Sequence, residues 1–205
     1  MNNLERLKEF EIMSCPNSKL EQYFTPPNIA LKFLNKLDLK NKVVADLGCG
    51  TGILGLTAIL LGAKKVYFID IDENTINIAK RNFASLQKTN ETLPSALFVN
   101  KDISLIKKSV FSDIDICLLN PPFGTNEDNK KIDVVFLKKA MKLSNKIISM
   151  HKTASKTFIK SIIQENNFEL SYEEDFLFPL AKQYAHHSND VVDVTVTAFI
   201  AKKQE

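Results

Sequence analysis

The stretch Val43-Val44-Ala45-Asp46-Leu47-Gly48-Cys49-Gly50-Thr51-Gly52 constrains the fold more than any other part of the chain. Its apolar, β-branched start predicts a buried strand. The glycines that follow permit a tight turn and a close approach of backbone to a ligand. The apolar run from Ile53 to Leu61 then predicts a buried helix, ended by Gly62. Strand, glycine loop and helix in that order form the repeating unit of a parallel sheet covered on both faces.

The rest of the chain continues the alternation. Strands are expected at 42–46, 65–70, 96–100, 114–119, 145–150, 168–177 and 190–200. Helices are expected at 52–62, 73–87, 133–144 and 154–166, with a weak turn near 104–109. No helical pattern separates the last two strands, so they should pair as an antiparallel hairpin at one sheet edge. Ahead of the alternation, residues 3–13 suggest a short helix with Leu4, Leu7 and Phe10 on one stripe. A second helix should start at Pro26, capped by Thr25, and run to about Leu37.

The glycine spacing is GxGxG, which differs from the dinucleotide fingerprint GxGxxG because position 53 is isoleucine. Strand Val66–Ile69 ends at Asp70, about 20 residues beyond the loop, where an acid binds ribose hydroxyls. Asp102 follows the next strand, where a carboxylate can accept an adenine amino hydrogen. Asp46 should brace the loop, Asp72 should cap the following helix, and Cys49 reads as a small packing residue. A glycine turn with two solvated acids is the plainer account of the same residues. The pattern resembles the class I methyltransferases that use S-adenosylmethionine, over about residues 42–200. That resemblance implies a Rossmann-like α/β fold: a seven-stranded, mostly parallel sheet with an antiparallel C-terminal hairpin and helices on both faces.

A second apolar run, Ile114 to Leu119, ends in Asn120-Pro121-Pro122-Phe123. In open parallel sheets ligands bind beyond the carboxyl ends of strands. An exocyclic amine on an aromatic base is a poor nucleophile, since its lone pair is delocalised into the ring. Two acceptors drawing on its hydrogens would localise that pair, and the Asn120 side-chain oxygen and Pro121 carbonyl suit the task. The prolines hold them rigidly, and Phe123 can stack on the base. The alternative is a proline turn ending a core strand, with Phe123 merely packed. Motifs of this kind belong to amino-group methyltransferases acting on adenine N6, guanine N2 or glutamine amide nitrogen.

Further stretches narrow the family: Leu20-Glu21-Gln22-Tyr23-Phe24-Thr25-Pro26, then Asn120 to Thr125, Asp133, Phe136-Leu137, and Ser149-Met150-His151-Lys152. Together they resemble the archaeal and eukaryotic methyltransferase-like protein 5 family, which methylates adenine N6 in small-subunit ribosomal RNA. The resemblance extends over nearly the whole chain. It implies that Gln22 and Thr25 fold over the cofactor, beside Gly48, Gly50, Thr51, Ile53, Asp70, Asp102 and Ile103. It also implies a partner, a small zinc-binding activator subunit, which the short apolar edge strand 96–100 would receive by strand addition. One departure stands out. Eukaryotic members are lysine-rich where this chain reads Ala185-His186-His187-Ser188-Asn189-Asp190.

Charge and length set the remaining bounds. The net charge of +3 permits RNA as a partner without demanding it. Arg6 and Arg81 are the only arginines, so phosphates would be met by lysines: Lys130, Lys131, Lys152 or Lys156. Lys152 is the preferred substrate-binding residue, because strand five should lie beside strand four and bring it near Asn120. The loop Gly124 to Lys131 could close over a flipped base. Cys15, Cys49 and Cys117 form no CxxC pair, which supports neither zinc nor disulfides and suits a reducing cytoplasm. No apolar run reaches membrane-spanning length, and the charged start of the chain is unlike a signal peptide. A division into an extension with a cofactor-covering loop (1–41) and a methyltransferase domain (42–205) is expected, in one unit overall. Glutamine-N5 methylation of release factors, DNA adenine methylation and a non-catalytic cofactor-binding subunit are the competing functions. The first two usually need an additional domain.

Overall fold

The computed structural model describes residues 2–13, 17, 20–22, 24–89, 94–111, 113–123, 131–180 and 192–204. Strand β1 (Val43–Leu47) is buried at every position, as is β4 (Ile116–Leu119). They pair in parallel with Val44 opposite Ile116, and β2 (Lys65–Asp70) flanks β1 on the other side. Beyond β2 lies β3 (Ser95–Asn100), and beyond β4 lie β5 (Lys146–Lys152), β7 (Val192–Lys203) and β6 (Phe168–Leu180). The order β3-β2-β1-β4-β5-β7-β6 reverses direction of growth between β1 and β4, so the carboxyl ends of those two strands frame a crevice. As the missing helix predicts, β6 and β7 pair antiparallel, and β7 also runs antiparallel to β5.

Both faces are covered. On one, α1 (Asn3–Lys8), α2 (Pro27–Leu34), α3 (Ile53–Leu60) and α4 (Glu73–Thr89) pack Leu7, Phe33, Leu34, Leu56, Ile76 and Leu86 against the sheet. On the other, α5 (Ile132–Leu143) and α6 (Lys156–Glu165) bring Leu137, Ala140, Ile159 and Ile163 down on Leu119 and Ile147. Helix α3 is buried almost all round, which accounts for its run of uninterrupted apolar residues. Between β3 and β4 a single turn at Ile103–Leu105 stands where a longer crossover helix would fit.

Two helices are shorter than their periodicity suggests. Helix α1 opens with a capping box, Asn2 Oδ1 accepting from Glu5 N and Glu5 accepting from Asn2 N. It stops at Lys8 because Asn82, on α4, accepts from Glu11 N at 2.7 Å and donates to Glu11 O at 3.0 Å. A tertiary contact thus overrides the local pattern. Helix α2 starts at Pro27 with Pro26 at the N-cap, and no side chain caps it. Thr25 is therefore not the capping residue that its position suggests.

Candidate active site

The loop after β1 is rigid before any ligand arrives. Gly48, Gly50 and Gly52 all have positive φ, at 68°, 53° and 91°. The amides of Gly48 and Cys49 donate to Ile69 O, and that of Gly52 to Cys49 O. Gly50 N donates to Asp70 Oδ2 at 2.8 Å, and Gly55 N to Asp46 Oδ2 at 2.8 Å. Asp46 thus braces the loop. Its burial pushes the carboxyl up to about 7. A helix start commonly offers free amides to a ligand, but those of Gly52 and Gly55 are not free. Both amides are already used within the protein. Such a loop suits a ligand recognised by shape and hydroxyls better than one carrying phosphates.

Asp70 closes β2 with both carboxylate oxygens aimed by the backbone, the second by Asp72 N at 2.9 Å. Burial holds its carboxyl above the usual range. Hydroxyl donors from a ribose would offset that burial. Asp72 begins the α4 turn, accepting from Asn74 N, and its other oxygen accepts from Gln22 Nε2 at 2.8 Å. Gln22 thus reaches the acid neighbouring Asp70. Asp102 caps the turn at Ile103–Leu105, and Ser104, through hydroxyl and amide, holds its carboxyl below the usual range. Ile103 and Ile53 are buried and Thr51 nearly so.

Space around the loop is uneven. A Cβ on Gly50 would meet nothing within 4 Å, whereas one on Gly48 would lie 2.8 Å from the ring of Phe136. Gly48 is thus required both by its positive φ and by a side chain of α5, whereas Gly50 faces open space. Cys49 packs in the core, and burial pushes its thiol up, away from thiolate chemistry.

At the end of β4, Asn120 is anchored from one side. Its Nδ2 donates to Thr25 Oγ1 at 2.9 Å, while Oδ1 is buried and, among the described residues, has no hydrogen-bond partner. Buried polar atoms are nearly always paired, and among the described residues Ser149 Oγ and His151 Nε2 of β5 are the other exceptions; Asn120 Oδ1 is the one at the carboxyl end of β4. Phe123 is only 8% exposed and sits edge-on to Phe178 of β6, centroids 6.4 Å apart. The ring is packed, as the plainer account had it, and a base could reach it only by displacing part of what covers it. Pro121 is buried and Pro122 half-buried between them.

Strand β5 lies beside β4, Leu119 opposite Ser149, as required to bring Lys152 to this end of the sheet. Lys152 is half-buried at the end of β5. One residue earlier, on the opposite face, His151 is fully buried, with Nδ1 3.2 Å from Asp133 Oδ2 on the first turn of α5. Lys156 is unsuited to phosphates as it stands. It pairs with Glu173 at 3.3 Å and Asp175 at 3.2 Å on β6. Lys131 precedes α5 with φ 65°. Lys130, most of the loop 124–131, the histidine pair and the rest of 185–190, Tyr23 and Cys15 lie outside the described residues. Sequence reasoning missed the Thr25–Asn120, Phe136–Gly48 and His151–Asp133 contacts. Their residues stood in the motif stretches, but no spacing rule joins them.

A glycine loop of this spacing, an acid closing β2 and Asn-Pro-Pro-Phe closing β4, on a sheet of this order, define a class I S-adenosylmethionine-dependent methyltransferase. Similarity to known proteins agrees. The profile of the ribosomal protein L11 methyltransferase (PrmA) family matches residues 26–120, from α2 to the end of β4. The zebrafish (Danio rerio) rRNA N(6)-adenosine-methyltransferase METTL5 is 32% identical, over 93% of this chain and 96% of its own. The chain belongs to the METTL5 family. The crystal structure of PH1948 from Pyrococcus horikoshii superposes with a TM-score of 0.82 at 29% identity, covering 98% of this chain and 97% of that one. A more distant structure shares the fold alone: the magnesium protoporphyrin IX methyltransferase of Synechocystis, with S-adenosylmethionine bound. Its TM-score is 0.59 at 16% identity, over 86% of this chain and 77% of that one.

Proposed function

We propose that the protein transfers a methyl group from S-adenosylmethionine to adenine N6 in ribosomal RNA, specifically that of the small subunit. The observation that carries the reading is Asn120 Oδ1, a buried acceptor at the carboxyl end of β4 with no partner among the described residues. It takes one hydrogen of the target amine, and the Pro121 carbonyl takes the other, which turns the nitrogen lone pair outward. When bound, the cofactor would supply an electrophilic methyl on a sulfonium that leaves as a neutral thioether, and the methylated nitrogen, left cationic, gives up one of its two protons to water. Asp70 holds the ribose hydroxyls, with Gly48, Gly50, Thr51 and Ile53 shaping the floor of the cofactor site. Asp102 and Ile103 meet the adenine end, and Gln22 and Thr25 close over the cofactor. Phe123 stacks on the target base, and Lys152 meets a phosphate. A bare, oriented acceptor argues against a non-catalytic subunit, since an idle site gains nothing from leaving it unpaired. The family relationship favours RNA over release factor or DNA.

The reading extends to location and partner. Cys49 and Cys117 are free and buried, in keeping with a reducing cytoplasm. Among the described residues no helix is long and apolar enough to cross a membrane. Strand β3 terminates the sheet, with Leu97 41% exposed, and a small zinc-binding activator subunit would add a strand there. Phe98 stacks on Phe68 at 4.8 Å, so a change there would disturb the core as well. Ser95 N and Lys101 N both donate into β2, so by alternation the Ala96 amide faces the open edge; Ala96→Pro is the sharper probe, and complex formation surviving it would remove this docking mode. Mapping N6-methyladenosine in ribosomal RNA from cells with and without the gene tests the function. A small-subunit adenine that loses its methyl group in the deletion supports it. An unchanged map, with release factor undermethylated instead, would refute it.

A further inference from the structure

Thr25 lies ninety-five residues before Asn120 in sequence, yet its hydroxyl accepts Asn120 Nδ2 at 2.9 Å. It is 4% exposed. Its position before α2 would suit a capping role, but the helix takes no side-chain cap. The hydroxyl is thus free of the local duty that usually claims a threonine at a helix start. A carboxamide has two chemically opposite ends, and only the oxygen can accept an amine hydrogen. Rotation by half a turn about the terminal bond would exchange them and present two donors to a donor. The bond to Thr25 fixes the plane of the carboxamide, and among the described residues its other end has no partner.

We propose that Thr25 is a positioning residue of the transfer step, holding Asn120 Nδ2 so that Oδ1 faces the target amine. The inference rests on the assignment of Asn120 as an amine acceptor and adds a second role to a residue assigned to cofactor closure. Gln22 holds Asp72 beside the ribose acid, and Thr25 holds Asn120. Two side chains three residues apart thus serve the cofactor end and the acceptor end of one crevice. A threonine hydroxyl both donates and accepts, so the bond to Nδ2 leaves its own proton for a further acceptor.

The test compares Thr25→Val, which keeps the shape and removes the hydroxyl, with Thr25→Ser, which keeps the hydroxyl. Three quantities are read: single-turnover transfer to ribosomal RNA at saturating S-adenosylmethionine, calorimetric cofactor affinity, and exchange of the Asn120 side-chain amide protons by NMR. The expected result for Thr25→Val is a loss of about tenfold or more in the rate at saturating cofactor, with faster Asn120 amide exchange. Thr25→Ser should restore most of the rate and the slow exchange. Thr25→Val at wild-type rate overturns the proposal. So does a rate loss with unchanged Asn120 amide exchange, which would leave Thr25 acting through the cofactor only. If wild-type protein modifies no RNA adenine, the functional reading fails on its own. Unchanged Asn120 amide exchange in Thr25→Val would then separately overturn the hold by Thr25.

Discussion

Asp70 Oδ2 accepts a hydrogen bond from Gly50 N at 2.8 Å, so the acid that ends β2 also fixes the loop that follows β1. The two features that mark the cofactor site in sequence are therefore one hydrogen-bonded unit. Asp70→Ala should weaken S-adenosylmethionine binding by about tenfold or more, since charged hydrogen bonds contribute about 1.5–3 kcal/mol each. The chain should stay folded by circular dichroism. Calorimetric titration checks it, and unchanged affinity in a folded variant would take Asp70 out of the site.

The Asp46 carboxyl gives a pH dependence with a definite sign. Its native value of about 7 lies above the value of about 3.9 for an unfolded aspartate. The folded chain keeps a proton there that the unfolded chain releases, so this group's contribution to stability is full below about pH 4. It is lost as pH rises through about 7. Asp46→Asn removes the titration and keeps an oxygen for Gly55 N. Thermal unfolding should show the variant gaining on wild type between pH 5 and pH 8. Parallel melting curves across that range would contradict the assignment.

Gly55→Ala sets propensity against packing. In an exposed helix the change would stabilise by about 0.8–1 kcal/mol. Here an added Cβ would meet Phe68 Cζ at 2.9 Å, and Phe68 is fully buried and stacked on Phe98. Overpacking of this kind costs about 1–3 kcal/mol, so packing should win and the melting temperature should fall. Phe68→Leu in the same chain should recover part of the loss, and a melting temperature that rises in Gly55→Ala alone would refute the clash.

The cofactor loop and the amine motif were legible in sequence because each is local, with apolar run, glycines, prolines and acid within a few residues. The parallel sheet followed from alternation, the edge position of β3 from the resemblance to class I methyltransferases, and the hairpin from a missing helix. Contacts made across the fold were not legible. Nothing near Phe123 announces that Phe178 packs against it, and nothing near Lys156 announces Glu173 and Asp175. Periodicity also overran α1 to residue 13, because Asn82 captures Glu11 from a helix seventy residues away. Such pairings depend on which elements the sheet brings together, and periodicity carries no record of that.

Phe123→Ala should raise KM for RNA with little change in cofactor affinity, because base stacking contributes about 1–3 kcal/mol. Steady-state kinetics with varied RNA checks it. Equal losses for RNA and cofactor would instead assign Phe123 to core packing beside Phe178.

The central claim is that Asn120 presents its bare oxygen to an adenine amine. The most direct measurement is single-turnover formation of N6-methyladenosine in ribosomal RNA, read by mass spectrometry of the digested nucleosides, for wild type and Asn120→Ala. Cofactor affinity is measured in parallel. The account predicts N6-methyladenosine with wild type and a rate lower by about 100-fold or more in Asn120→Ala, at near-unchanged cofactor affinity. Transfer by Asn120→Ala at close to the wild-type rate, or a methyl group on any atom other than adenine N6, would contradict it.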